Sequence, residues 1–166
     1  MVIWIIGMSG SGKSHYAKIL HKKLKKSIIV DGDEVRKYMT FKLGYKLSDR
    51  KQNSEIISNL CNFLEKQGLI VICPILSIFT RHQKENRKKF SNYYQIYIKS
   101  DLKNLIKRNS KNIYENKKNV VGYDIKFPKP HKSDLTILNT YTKKNTIDNL
   151  KKIFQLLKYD ISKKVN

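Results

Sequence analysis

A glycine-rich turn, GMSGSGKS at residues 7–14, is the feature that most constrains how this chain can fold. It follows VIWII, a continuous apolar and β-branched run of strand length. The segment after it has apolar residues at helical spacing. Glycines let successive backbone N–H groups converge on one point, and a helix N-terminus adds partial positive charge there. Strand, turn and helix in this order predict a phosphate-binding site.

The spacing of the turn fills the P-loop pattern G-x-x-x-x-G-K-[ST]. We expect Lys13 to reach the β- and γ-phosphates of ATP, and the Ser14 hydroxyl to ligate Mg²⁺. The alternative, a chance Gly/Ser-rich turn, is disfavoured because the flanking strand and helix are both in place. The predicted ATP-binding residues of the turn are Gly7, Ser9, Gly10, Ser11, Gly12, Lys13 and Ser14.

A second polar cluster, in IIVDGDEVR, follows the next apolar run and contains Asp31, Asp33 and Arg36. In α/β sheets the active crevice lies at the carboxyl ends of the strands. Carboxylates there can hold Mg²⁺ or accept a proton from an attacking hydroxyl. Asp-Gly is also a common turn dipeptide, but two aspartates and an arginine in six residues favour a site.

Strands and helices are predicted to alternate along the chain. The predicted strands are 2–6, 27–33, 69–75, 93–99 and 133–139, and the helices are 13–26, 49–67, 81–90, 101–109 and 146–157. Ser48 is the expected N-cap of the second helix and Gly68 its end, and Ser100 or Asp101 is expected to cap the fourth. This alternation predicts a single α/β domain with a mainly parallel five-stranded sheet, in this case a P-loop NTPase fold over residues 1–166.

The composition excludes several classes of protein. The net charge of +22 is usual for nucleic-acid binding, but the lysines are spread over the whole chain, which indicates a solvated surface. No apolar run is long enough to span a bilayer, and the first one lacks the basic region of a signal peptide. Cys61 and Cys73 have no metal-ligand spacing and are expected to be reduced core thiols. These features predict a cytoplasmic enzyme with no nucleic-acid or membrane partner.

The motifs together resemble the adenylyl-sulfate kinase family. They run GMSGSGKS, DGDEVR, LGYKLSDRKQN, an apolar strand with Ser77, IYIKSDLKNLIKR and FPKPHKSDLTI. That family has the same order of motifs, including DGDN-x-R and L-G-F-S-x-x-D-R-x-x-N. The resemblance covers about residues 2–138.

The resemblance implies an ATP- and Mg²⁺-dependent kinase that phosphorylates the ribose 3′-hydroxyl of a 5′-nucleotide with a second anionic group. Asp33 would be the base or orienting acid, and Asp31 would lie beside Mg²⁺ with Ser14. The implied acceptor-binding residues are Asp33, Arg36, Tyr45, Arg50, Asn53, Ser77, Lys111 and Val120, and Arg108 would face ATP. A lid is implied at about 109–130. The family also admits a homodimer, although the sequence does not fix the oligomeric state.

Each acceptor residue has a plainer interpretation. Arg36 and Arg50 could be surface charges among the 35 Lys and Arg residues, and Asn53 a helix residue near a cap. Tyr45 could be core, and Lys111 a solvated loop lysine. The joint spacing of Arg36, Arg50 and Asn53 favours the site, whereas Arg108 and Lys111 are evenly balanced.

The departures from the family lie at the base and the lid. Val120, in KNVVGYD, stands where the family has a phenylalanine that closes on adenine opposite Tyr45, itself a phenylalanine in the family. Valine cannot stack, and a base–aromatic stack is worth about 1–3 kcal/mol. RNSKNIY and LSIF also depart from the family's R-D-x-K-G-L-Y and I-S-P-F, and the lid is shorter. We therefore expect the same chemistry on a different nucleotide.

Several acceptors remain open at the level of sequence. A branch of the family in capsule-modification pathways phosphorylates cytidine diphosphoramidate, whose smaller base needs less clamping and whose tail could use the same arginines. A diverged adenylyl-sulfate kinase, with Tyr123 or Phe127 supplying the lost ring, is the main alternative. A regulatory nucleotide-binding module without an acceptor and a nucleic-acid 5′-hydroxyl kinase are the others. The cytidine diphosphoramidate acceptor is favoured.

Overall fold

The structure is a computed structural model that describes residues 1–108 and 119–158. Its strands are β1 (Val2–Ile6), β2 (Ser27–Ile29), β3 (Ile70–Ile75), β4 (Tyr93–Lys99) and β5 (Leu135–Leu138). Its helices are α1 (Lys13–Lys23), α2 (Gly32–Lys37), α3 (Leu47–Lys66), α4 (Thr80–Lys89), α5 (Leu102–Arg108) and α6 (Lys143–Leu156).

The five strands form one sheet in the order β2-β3-β1-β4-β5, and every pairing is parallel. The predicted α/β class and five-stranded parallel sheet are therefore confirmed. Parallel strands need crossover connections, and helices supply them here. All five carboxyl ends consequently lie along one edge, where the turns after β1 and β2 meet.

Both faces of the sheet are buried, and β1 shows how its side chains divide between them. Ile3 and Ile5 pack with α1 and α6 on one face, whereas Val2, Trp4 and Ile6 pack with α3 on the other. This alternation follows from the two-residue side-chain period of a strand. The continuous apolar run that predicted β1 is thus explained, because a central parallel strand has no solvent face.

The two cysteines lie in one of these cores. Cys61 and Cys73 are fully buried and free, in the cluster between the sheet and α3. Burial raises the pKa of the Cys73 thiol, and the neighbouring Cys61 raises it further. A raised pKa keeps a thiol protonated and unreactive. Both cysteines therefore act as core packing residues, as expected.

Helix boundaries are where the sequence predictions were wrong. Helix α2 was predicted as the end of a strand and a turn, and Asp31 caps it by accepting a hydrogen bond from the Asp33 N–H. Helix α3 begins at Leu47, so Ser48 lies inside it and is not the N-cap. Helix α6 begins at Lys143 after the Thr142 cap, and not at residue 146. Side-chain caps begin α2 and α6, whereas Lys46 before α3 makes no cap hydrogen bond, and apolar spacing specifies none of these three starts.

No helix among the described residues is both long and apolar enough to cross a membrane.

Candidate active site

The P-loop connects β1 to α1, and its glycines occupy positions that other residues would strain. Gly10 and Gly12 have φ of 78° and 98°, in the left-handed region that favours glycine. A Cβ on Gly12 would lie 2.4 Å from the Asn139 amide nitrogen, and one on Gly7 would lie 2.9 Å from the Ile98 carbonyl oxygen. The loop therefore passes close to the backbone of β4 at Gly7 and to the side chain of Asn139, just after β5, at Gly12.

Lys13 and Ser14 stand at the first residues of α1. The Lys13 ammonium donates a hydrogen bond of 2.8 Å to the Met8 carbonyl oxygen, across the mouth of the loop. The Ser14 hydroxyl donates to the Asp31 carboxylate at 2.9 Å. This contact joins the turn after β1 to the turn after β2. It places a hydroxyl and a carboxylate beside the helix N-terminus, where phosphate is expected.

This pair fits a Mg²⁺ ion. Magnesium in phosphate-transfer sites is usually bound by one or two carboxylates together with substrate phosphates and water. Among the described residues there is no group of three or more His, Cys, Asp or Glu side chains that could hold a metal by itself. Ser14 and Asp31 therefore suit an ion that arrives with a nucleotide.

Next to the P-loop lies a cavity of about 550 Å³. Its described lining includes Lys13, Asp33, Arg36, Tyr45, Arg50 and Asn53. Side chains that follow the ends of β1 and β2 meet side chains of α3 there. Parallel pairing brings the strand ends to this edge of the sheet. Asn53 is 6% exposed, and its amide oxygen has no hydrogen-bond partner within the described residues. A buried unpaired acceptor is costly unless a ligand satisfies it, so the cavity suits a polar ligand.

The two cavity arginines both lie against Tyr45. Their guanidinium carbons are 4.8 Å (Arg36) and 5.4 Å (Arg50) from the Tyr45 ring centroid. Arg36 also donates to the carbonyl oxygens of Leu43 and Gly44. Two fixed guanidinium groups side by side provide the paired donors that grip oxyanions. Tyr45 is 54% exposed and lines the cavity, so part of its side chain remains accessible to a ligand.

Arg50 also connects α3 to the far side of the cavity. Its Nε donates to the Tyr45 carbonyl oxygen at 2.9 Å, and its Nη2 donates to the Asn119 carbonyl oxygen at 2.7 Å. Burial, and secondly the Arg36 charge, hold the pKa of Arg50 below its ordinary value. The guanidinium nevertheless stays charged, because the ordinary value is so high. Arg50 therefore links the loop that carries Tyr45 with the segment at residues 119–125.

That segment forms a tight turn which presents Val120 to the cavity. Val121 and Ile125 form a bridge, and the Asp124 carboxylate accepts from the Asn119 and Val120 N–H groups at 2.6 and 2.5 Å. Desolvation acts to raise the pKa of Asp124, but these backbone hydrogen bonds outweigh it and the pKa is lowered. Val120 is 5% exposed and also packs in the cluster of Met8 and Leu105.

A second cavity of about 360 Å³ lies on the other side of the P-loop, against α1 and α6. Arg108 lines it with its guanidinium carbon 3.7 Å from the Tyr141 ring centroid. Tyr141 donates to the Gly10 carbonyl oxygen at 3.2 Å, and Asn139 donates to the Ser11 carbonyl oxygen at 2.8 Å. The sequence analysis missed Asn139 and Tyr141. Their one available signal was their position directly after the fifth strand.

The structure does not bring every expected residue to the acceptor cavity. Ser77 is 1% exposed and does not line the cavity, since its carbonyl and hydroxyl oxygens face the Gln83 amide at 3.0 and 3.4 Å. Phe127 stacks on Tyr97 with centroids 6.0 Å apart, and neither Phe127 nor Tyr123 lines the cavity. Lys111 and residues 109–118 of the expected lid lie outside the described residues.

Comparisons with known proteins agree with this geometry. Residues 1–138 match the family model described as adenylylsulphate kinase. The cytidine diphosphoramidate kinase of Campylobacter jejuni is 40% identical over 151 residues, covering 84% of this chain and 86% of that protein. The adenylyl-sulfate kinase of Clostridium acetobutylicum is 32% identical over 161 residues, covering 90% and 80%.

Solved structures show the same fold. An APS kinase from Mycobacterium tuberculosis, solved in complex with AMPPNP and APS, superposes with a TM-score of 0.82 at 24% identity, covering 95% of this chain and 96% of that one. A shikimate kinase from Aquifex aeolicus superposes with a TM-score of 0.59 at 18% identity, covering 93% and 96%. The P-loop kinase fold is therefore shown.

The Gly12 geometry predicts that a single added methyl group disables nucleotide binding. Gly12→Ala combines left-handed strain with a clash against Asn139, so the loop must shift and the affinity for an ATP analogue should fall at least about tenfold. Gly68→Ala is the matched control, because Gly68 has φ of 81° but no atom within 4 Å of the added Cβ. Fluorescent-nucleotide titration of both variants measures the difference. Equal affinities in the two variants would contradict the crowding at Gly12.

Proposed function

Because the chain belongs to the adenylylsulphate kinase family and is an ATP-dependent phosphotransferase, we propose that its acceptor is cytidine diphosphoramidate, phosphorylated at the ribose 3′-hydroxyl. One observation carries the choice of base: Tyr45 is the one aromatic residue among the described residues that line the acceptor cavity. The 40% identity to a protein named as a cytidine diphosphoramidate kinase supports it.

Among the described residues, the base would stack on one ring only. Val120 lines the cavity but has no π-face, and Tyr123 and Phe127 do not line it. Loss of one stacking face costs about 1–3 kcal/mol, and the loss weighs most on a large purine. Cytosine is smaller and exposes less apolar surface to be covered. A cavity with one tyrosine and the aliphatic Val120 therefore favours a pyrimidine.

The P-loop side would hold the donor. Its backbone N–H groups and the α1 N-terminus would bind the phosphates, with Lys13 released from the Met8 carbonyl oxygen to the transferred phosphoryl group. Ser14 and Asp31 would hold Mg²⁺, which when bound supplies positive charge to the phosphate oxygens. Arg108 and Tyr141 line the second cavity, which would receive the adenosine end of ATP.

The α3 side would hold the acceptor. Arg36 and Arg50 would bind the anionic tail of the nucleotide, and Asp33 would orient its 3′-hydroxyl and accept its proton. Phosphoryl transfer passes through a loose transition state, so alignment of the hydroxyl and charge neutralisation supply most of the rate. Ser14, Asp31 and Asp33 line the same cavity, and the Asp33 N–H donates to the Asp31 carboxylate at 3.0 Å, an arrangement that suits such alignment.

The proposed acceptor is tested by measuring ADP release from Mg-ATP with cytidine diphosphoramidate and adenylyl sulfate side by side. We expect a kcat/KM at least about fivefold higher for the cytidine compound. This factor corresponds to about 1 kcal/mol, the lower bound for the stack that adenine would lose. Nuclear magnetic resonance of the product would locate the new phosphate on the 3′-oxygen.

Other outcomes of this assay would overturn the proposal in distinct ways. Efficient turnover of adenylyl sulfate would make the chain an adenylyl-sulfate kinase in which a different group covers the adenine. Release of ADP that is independent of either acceptor, or no release despite ATP binding, would favour a regulatory nucleotide-binding module.

The role assigned to Asp33 predicts a selective loss of catalysis. Asp33→Asn removes the proton acceptor but keeps the shape, so kcat should fall about 10²–10⁴-fold while KM for ATP changes little. Glu34→Gln, one residue further along α2, is the control, because Glu34 is 59% exposed and pairs with Lys37 outside the cavity. Equal losses of kcat and of ATP affinity in Asp33→Asn would make Asp33 a structural residue of the turn.

A further inference from the structure

A buried polar chain leads away from the acceptor cavity and takes no part in the mechanism above. Ser54 lines the cavity and is 5% exposed. Its hydroxyl oxygen lies 3.0 Å from Nδ1 of His82, which is itself 5% exposed. The other ring nitrogen, Nε2, lies 3.3 Å from Oε1 of Glu55. The three side chains form one continuous row from the cavity to the surface at Glu55.

The order of these groups fixes the direction of their hydrogen bonds. An ionised carboxylate can only accept, so the Glu55 carboxylate 3.3 Å from Nε2 favours the neutral-ring tautomer that carries its proton on Nε2. Nδ1 is then an acceptor and takes the Ser54 hydroxyl hydrogen. That hydrogen is the only one on the Ser54 side chain that can be donated in a hydrogen bond. Ser54 therefore offers only lone pairs to the cavity and acts there as an acceptor.

The position of Ser54 places this acceptor next to the anion-binding groups. Ser54 is one helical turn after Arg50, and residues four apart on a helix are neighbours on one face. It directly follows Asn53, whose amide oxygen is buried without a described partner. A tail held by Arg50 can therefore reach Ser54 with its terminal group.

We propose that Ser54, fixed as an acceptor by His82 and Glu55, selects acceptor nucleotides whose terminal phosphoryl group carries an N–H donor; this inference rests on the proposed function. A terminal phosphoramidate supplies such a hydrogen. A terminal sulfate has none, and a terminal phosphate above its second pKa of about 6 has none either. The hydroxyl would meet those anions with lone pairs facing negative oxygen, which is repulsive.

Cytidine diphosphate is the probe for this contact, because it has oxygen in place of the terminal N–H group; at pH 8 it also carries one more negative charge, so the contact is isolated by comparing the Ser54 variant with the wild type. At pH 8 we expect the wild-type enzyme to use the phosphoramidate with a kcat/KM about tenfold higher or more. Ser54→Ala should reduce this preference by about tenfold, mainly through slower use of the phosphoramidate. Both acceptors meet the same variant, so a general loss of packing lowers both rates and leaves their ratio unchanged.

Two further variants sharpen the test. Ser58→Ala removes a buried hydroxyl one turn further along α3, where Ser58 bonds Asn86 away from the cavity, and the preference should stay at the wild-type value. Glu55→Gln leaves Ser54 in place but can donate to Nε2 as well as accept from it, so the ring proton is no longer fixed. Glu55→Gln should therefore lower the preference by about two- to fivefold, although Glu55 does not line the cavity.

The outcomes separate this inference from the proposed function. If the wild-type enzyme prefers the phosphoramidate and both Ser54→Ala and Glu55→Gln keep that preference, the reading of Ser54 is wrong and the proposed function stands. If the wild-type enzyme uses adenylyl sulfate and neither cytidine compound, both fall together. A loss of preference in Ser58→Ala equal to that in Ser54→Ala would also overturn the assignment.

Discussion

The parallel pairing of all five strands is the constraint on which the site depends. Each strand must leave the sheet at the same edge, so the turns after β1 and β2 open toward one another across β3. The 2.9 Å contact between Ser14 and Asp31 is the direct result. One carboxylate then serves two purposes, because Asp31 also caps α2 and thereby orients Asp33 toward the cavity. In the proposed mechanism, phosphate binding and acceptor alignment would thus be coupled through a single side chain.

The acceptor side is built differently from the phosphate side. Backbone groups and glycine geometry form the P-loop, whereas long side chains from α2 and α3 form the acceptor cavity. Arg50 is central there, since it contacts the Tyr45 loop and the Asn119 carbonyl oxygen while facing the cavity. A substrate anion that draws on this guanidinium also acts on the segment that carries Val120. Under the proposed function, this arrangement would tie recognition of the tail to the position of the residues that cover the base.

Much of the fold and the P-loop could be predicted because the responsible signals are local. The closely spaced glycines of the P-loop and the buried β-branched run of β1 determine the backbone within a few residues of where they stand. The failures share a different cause. Ser77 follows a buried strand, as a site residue would, but Gln83 occupies its polar atoms. Asn139 reaches the Ser11 carbonyl oxygen across 128 residues of sequence, and no local pattern carries that contact. The amino-acid sequence alone does not reveal side-chain partners that lie far apart along the chain.

We propose that the phosphoryl-transfer residues keep their arrangement while the described part of the base pocket offers one aromatic ring. The most direct test changes only the base: kcat/KM for cytidine diphosphoramidate against adenosine diphosphoramidate, which share one tail. The account predicts that the cytidine compound is preferred at least about fivefold, the cost of one absent stack for a purine. Equal or better use of the adenosine compound would contradict it, because the pocket would then clamp adenine without a second ring.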